Sequence, residues 1–145
     1  MTMRISLVGE NQVAGVIPAI LPYLRMSEAQ AYGRATADDI LRFILTGRMN
    51  LWVIHDERGI YAYVATEIKQ YPQCKMLEFQ YCAGQTGVLE QIEEQMHELM
   101  ERFAKDAGCA GIEFFGRPGW RNNARKHNYD VRSVVYQKFF GVNYE

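Results

Sequence analysis

The apolar residues of this chain change their spacing several times, and each change predicts a different element. Met3, Ile5 and Leu7 alternate with Arg4 and Ser6, which reads as a short opening strand over 3–8. Val13, Val16, Ile17, Ile20, Leu21 and Leu24 then recur at helical spacing. Pro18 and Pro22 interrupt that run. Each lacks an N–H and crowds the preceding turn, so one kinked helix or two short ones are expected. Thr36-Ala37-Asp38-Asp39 has the form of a capping box. Ile40, Leu41, Ile44 and Leu45 form the buried stripe of the helix that follows, and Gly47 is its natural stop.

The middle of the chain switches to strand chemistry. Leu51-Trp52-Val53-Ile54-His55 precedes the turn Asp56-Glu57-Arg58-Gly59, and 60–68 is rich in β-branched and aromatic residues. A second turn, Lys69-Gln70-Tyr71-Pro72-Gln73, leads to a third strand over 75–82. Short connections make these three strands antiparallel neighbours. Leu89, Ile92, Met96, Leu99, Met100, Phe103 and Ala107 then trace one face of what reads as the longest helix, with glutamates at 90, 93, 94, 98 and 101 on its other faces. Gly108 ends it. A strand at 111–115, a polar and basic partly helical stretch at 116–127 and a last strand at 131–139 complete the order β, α, α, β, β, β, α, β, α, β.

Composition narrows the class. At 145 residues a chain can bury roughly two-thirds of its unfolded surface, so a core needs neither metals nor disulfides. One domain over 1–145 is expected, because no repeat, low-complexity run or Gly/Ser/Pro linker divides it. A net charge of -1 removes any whole-protein argument for nucleic acid. Cys74, Cys82 and Cys109 are too few and too dispersed for a disulfide framework or a zinc site, and fit reduced thiols in a cytoplasm. His55, His97 and His127 lack HxxxH or HExxH spacing, so no metal is expected. No apolar h-region opens the sequence and no 18-residue apolar run follows, so neither a signal peptide nor a membrane span is expected.

The element order, together with a set of short motifs, resembles the GNAT superfamily of N-acyltransferases over nearly the whole chain. The motifs are Leu51-Trp52-Val53, Tyr71-Pro72 before Lys75-Met76-Leu77-Glu78, Phe103-Ala104-Lys105 with Gly108-Cys109, and Gly116-Arg117-Pro118-Gly119-Trp120. Asn128-Tyr129 stands where such proteins usually carry Gly-Tyr or Gly-Phe. The Gly-Arg-x-Gly-Trp element is similar to that of short GNAT-like proteins encoded by tailed bacteriophages and their prophages. The resemblance implies a mixed α+β fold with a mostly antiparallel central sheet flanked by helices. It also implies acetyl-CoA or another acyl-CoA as co-substrate and a primary amine as acceptor. The cofactor would lie where the strand ending near Cys82 and the one ending near Phe115 splay apart.

That implied chemistry selects particular residues. The family's pyrophosphate loop corresponds to Cys82-Ala83-Gly84-Gln85-Thr86-Gly87, followed by Val88; two glycines are present and the full motif is not. Amides of 84–88 at a helix start would face the pyrophosphate. The same stretch also reads as a plain strand-to-helix turn using glycine for its permissive backbone. Glu90, Glu93 and Glu94 suit the helix dipole but oppose a bound diphosphate. Glu78 is the candidate base, acting directly or through water. It reads equally as a solvent-facing residue beside Lys75 or Lys69. Cys82 lies near the implied thioester, or is a small buried hydrophobe.

Four residues before the Gly-Phe position the family often has an acid tyrosine, and here Ala124 stands there. Tyr129 and Tyr136 are nearby but read as core. Arg117, Arg121, Arg125, Lys126 and Arg132 concentrate positive charge; Arg121 and Arg125 share a helical face. They read as a solvated face, or as contacts to CoA phosphates, an acidic protein or a nucleic-acid backbone. Trp120 stacks on a base or anchors its loop to the core. Two functions follow: a CoA-dependent N-acyltransferase using Glu78, or a non-catalytic GNAT-like protein that binds a phage or host partner in virion assembly or ejection. A nucleic-acid binder through the 121–132 patch is a third.

Overall fold

A computed structural model describes residues 2–116 and 120–141. The chain divides into two compact units, Met1–Phe114 and Phe115–Glu145. The first holds a five-stranded sheet in the order β1 (Arg4–Leu7), β2 (Asn50–Asp56), β3 (Gly59–Gln70), β4 (Lys75–Gly84) and β5 (Gly111–Phe114). Neighbours are antiparallel except β4 and β5, which run parallel because α3 (Val88–Gln91) and α4 (Glu93–Asp106) carry the chain back between them. The meander 50–84 thus matches the alternation of its sequence, with each strand two or three residues longer than predicted.

Strand alternation sends side chains to two faces, and a different set of helices covers each. On one face, Leu51, Val53, Tyr63, Ala65 and Ala83 pack against α1 (Val13–Gln30) and α2 (Ala37–Leu45) through Ile20, Leu24, Ile40 and Ile44. On the other, Trp52, Ile54, Val64 and Leu77 pack against Val88, Ile92, Met100 and Ala104. Trp52 meets Phe103 edge to face with ring centroids 5.1 Å apart, and its indole N–H donates to Thr66 at 3.0 Å. Such aromatic pairs add about 1 kcal/mol beyond their area.

Three expectations need correction. The Glu-rich helix is not the longest: α1, one helix of 18 residues with both prolines inside it, exceeds the 14-residue α4. Pro18 and Pro22 lie on the exposed side of α1, so the carbonyls they release at Ala14 and Pro18 face solvent and stay hydrated. The Glu-rich helix is broken at Ile92 (φ −108°, ψ 10°), where the chain turns to bury both Val88 and Ile92 in one cluster. Finally, 131–139 is not a strand. Alternating Val and Tyr supply propensity, but a strand exists only where a neighbour supplies a ladder, and no ladder reaches this segment among the described residues.

The second unit contains α5 (Arg121–Lys126). Asn128 follows it at φ 67°, a left-handed conformation that Asn tolerates better than most residues. Tyr136, read from sequence as core, is 90% exposed. No helix among the described residues is long and apolar enough to cross a membrane.

Candidate functional site

The geometry of the site follows from β4 having neighbours of unequal length. Residues 76–79 pair with 111–114 of β5, while among the described residues 80–84 have only β3 beside them in the sheet. At the junction the β3–β4 register slips: Ala65 pairs with Tyr81 and Thr66 with Phe79, leaving Gln80 as an extra residue. Such a bulge bends its strand and turns it away from a neighbour.

Beyond the bulge the strand ends on a tight contact. A Cβ at Gly84 would lie 2.2 Å from Ala62 Cβ and 2.7 Å from the Tyr61 carbonyl, so only glycine permits this approach of β4 to β3. The Gln85 amide donates to that same Tyr61 carbonyl at 2.9 Å, and the Gln85 side chain donates to Tyr23 OH at 3.3 Å. Gly87 sits at φ 82°, ahead of α3. Of the amides in 85–88, those of Gln85 and Val88 donate to backbone carbonyls, and those of Thr86 and Gly87 make no hydrogen bond among the described residues. The turn therefore presents two adjacent N–H groups beside the end of β4. Cys82 pairs with Val64 and packs, half-buried, against the apolar cluster under α4.

Glu78 is 5% exposed, so it is not the solvent-facing strand residue that a sequence reading also allows. It stands in register with Glu67 of β3 and Glu113 of β5, which puts three carboxylates in one row across three strands. Burial, with help from Glu113 and Glu67, raises the Glu78 carboxyl above the ordinary carboxylate range; Lys69 and the Gln80 amide act in the opposite sense. Gln80 donates a hydrogen bond to Glu78 and reaches Glu67 at 3.4 Å. Glu67 also takes Arg48 at 3.4 Å. Tyr71 donates to Glu113 at 2.6 Å, and that bond pushes the phenol up to about 12. Tyr81, half-buried and packed at the margin of the α1 and α2 cluster, is raised by burial.

A buried carboxyl group raised above its usual range is suited to accept a proton from a substrate. Gln80, Tyr81, Glu67 and Glu113 complete its setting, and sequence reading did not single them out. Their signal was present: once the three strands are aligned, the acidic positions fall in phase. The alignment itself is set by the register from the 71–74 turn and by the parallel pairing of β5, which alternation does not announce.

The basic residues belong to the second unit. Arg121 and Arg125 are exposed on α5 and line a groove with Tyr129, Asp130, Val131 and Arg132. Arg132 pairs with Asp130 at 3.3 Å, both largely exposed, a kind of pair worth little to stability. Arg117 lies outside the described residues. Ala124 is half-buried and Trp120 opens α5.

Fold and sheet geometry together define a class: an α+β protein with the GNAT acyl-CoA N-acyltransferase fold. No family model matches the sequence, and no curated protein matches it. Solved structures do match in fold. Glucosamine-6-phosphate N-acetyltransferase from Arabidopsis thaliana superposes with a TM-score of 0.66 at 15% identity, over 97% of this chain and 99% of that one. Aminoglycoside N-acetyltransferase AAC(6')-Iy, solved in complex with CoA, gives 0.64 at 12% identity over 94% and 95%. Ribosomal-protein-alanine N-acetyltransferase from Brucella melitensis biovar Abortus 2308 gives 0.66 at 10% identity over 96% and 100%.

Proposed function

We propose that the chain is a CoA-dependent N-acyltransferase that transfers an acetyl or other acyl group to a primary amine, with Glu78 as its base. The observation that carries this reading is the buried Glu78, raised above its usual range, on a strand whose far half has no β5 neighbour and ends in a glycine turn. The similar acetyltransferases, one of them bound to CoA, support the same assignment.

In this reading the pantetheine arm lies along 80–84 and the amides of Thr86 and Gly87 hold the pyrophosphate, with 82 and 84–88 forming the cofactor-binding segment. Two converging amides suit an anion, and glycine lets it approach the backbone. Glu78 accepts the proton of the substrate ammonium, directly or through a water. The free amine attacks the thioester carbonyl carbon, the C–S bond breaks as the amide forms, and the second proton of the amine nitrogen passes through water to the departing thiolate. Acetyl-CoA titrated into the protein in a calorimeter is expected to give saturable heat. No heat at millimolar ligand would remove the reading.

A second reading has its own observation. Arg121 and Arg125 are exposed together, and Val134, Tyr136 and Phe140 of the same unit are exposed as well. Such a surface suits a partner protein with acidic and apolar groups, and the resemblance to phage proteins points to one from a virion or its host. Charge reversal at Arg121 and Arg125 would abolish that binding while Glu78→Gln left it intact; the opposite pattern favours the enzyme.

A further inference from the structure

Gln80 is the residue that β4 has in excess over β3. With Ala65 opposite Tyr81 and Thr66 opposite Phe79, it has no cross-strand partner of its own. Residues two apart on a strand share a face, so Gln80 lies with Glu78 on the face that also carries Glu67. Its primary amide has two hydrogens. Nε2 donates to Glu78 Oε1 and stands 3.4 Å from Glu67 Oε1, whose other oxygen takes Arg48. Among the described residues no donor reaches the second oxygen of Glu78.

We infer that Gln80 is a positioning residue for the base: it occupies one oxygen of Glu78, orients the carboxyl group, and leaves the other oxygen to take the proton of the acceptor. This inference rests on the reading of Glu78 as the base. The alternative is that Gln80 only fills the bulge, its hydrogen bonds having no consequence for proton transfer.

The two differ in what happens to Glu78 when the amide is lost. Glu78 faces Glu67 and Lys69 from β3, Glu113 from β5, and Gln80 from its own strand. Two of these groups are acidic and favour its neutral form, while Lys69 and the Gln80 amide favour the anion. Deleting a hydrogen bond to the carboxylate therefore moves the balance toward the neutral acid.

The test is the titration of the Glu78 carboxyl followed by carbon-13 NMR in the ligand-free protein, its resonance assigned with Glu78→Gln. Gln80→Leu is expected to raise the midpoint by about one pH unit, a tenfold change in proton affinity. Gln80→Glu has the same shape and adds a carboxylate beside Glu78 and Glu67, so it is expected to raise the midpoint further. It also serves if the leucine variant does not fold. Where acyl transfer is measured, the acidic limb of kcat/KM against pH moves by the same interval. A Glu78 midpoint unchanged in the folded variants, or an acidic limb that stays put, overturns the inference. Because the carboxyl titration needs no ligand, it is decided separately from acetyl-CoA calorimetry. Absent heat with a shifted midpoint removes the acyltransferase, and with it the catalytic part of the role. Heat with an unshifted midpoint removes Gln80 alone.

Discussion

The two halves of β4 are one strand with two different surroundings. Residues 75–79 lie between β3 and β5, and Leu77, fully buried between Ile68 and Ile112 in register, is core. Residues 80–84 keep β3 but have no partner in β5, and there the strand carries the bulge, Cys82 and the glycine contact at Gly84. A strand held on both edges is a framework; one released on an edge has backbone groups left to offer a ligand. Glu78 stands one residue inside the framework half, two residues before the bulge at Gln80.

The largest effect expected is on chemistry at that border. Glu78→Gln should lower the acyl-transfer rate on the order of 10²- to 10⁴-fold, the range for loss of a positioned base, measured as kcat/KM with an amine acceptor. The same substitution has a stability signature with a definite sign. The folded-state carboxyl is raised, so the native protein binds more protons than the unfolded chain in the window just above the ordinary carboxylate range. Wild-type stability should fall relative to Glu78→Gln as pH rises out of that range through the raised value, and the gap should close below it. Urea unfolding of both proteins at a series of pH values checks this.

Next comes the framework half. Leu77→Ala should cost about 2–5 kcal/mol by denaturant unfolding, as for other fully buried leucines. Gly84→Ala tests the open half and should cost about 1–3 kcal/mol through overpacking, because its Cβ would meet Ala62 Cα at 2.8 Å as well as Cβ at 2.2 Å. It should also weaken acetyl-CoA binding in calorimetry, which Leu77→Ala in a folded sample should not. Smallest is Gly111→Ala in the framework half. There the nearest atom is the flexible Met76 Cε at 3.2 Å, so the change should stay within about 1 kcal/mol. Equal costs at Gly84 and Gly111 would erase the distinction between the halves.

Much of this fold is legible in local pattern. Thr36 and Asp39 form the reciprocal cap that their spacing announces, with bonds of 3.2 and 3.0 Å. The meander strands appear where β-branched residues alternate, because alternation records which side chains meet a core. Local pattern fails where the outcome depends on what lies opposite. Pro18 and Pro22 look like helix breakers until their exposed side is known. The 131–139 segment looks like a strand although no ladder reaches it. Glu78 reads as a single acid on a strand that begins at Lys75, yet Glu67 and Glu113 stand beside it in register, with Lys69 and the Gln80 amide also acting on it.

The amino-acid order by itself determined the succession of elements from β1 to α5 and the residue types available for chemistry, because these follow from periodicities of two and 3.6 along the chain. Tertiary structure alone decided the site. The extra residue at Gln80, the burial of Glu78 and the end of β5 pairing at Phe79 each depend on register between strands distant in sequence. Register sets distances and desolvation, and through them the proton affinity of a carboxyl group, none of which a single strand carries within itself.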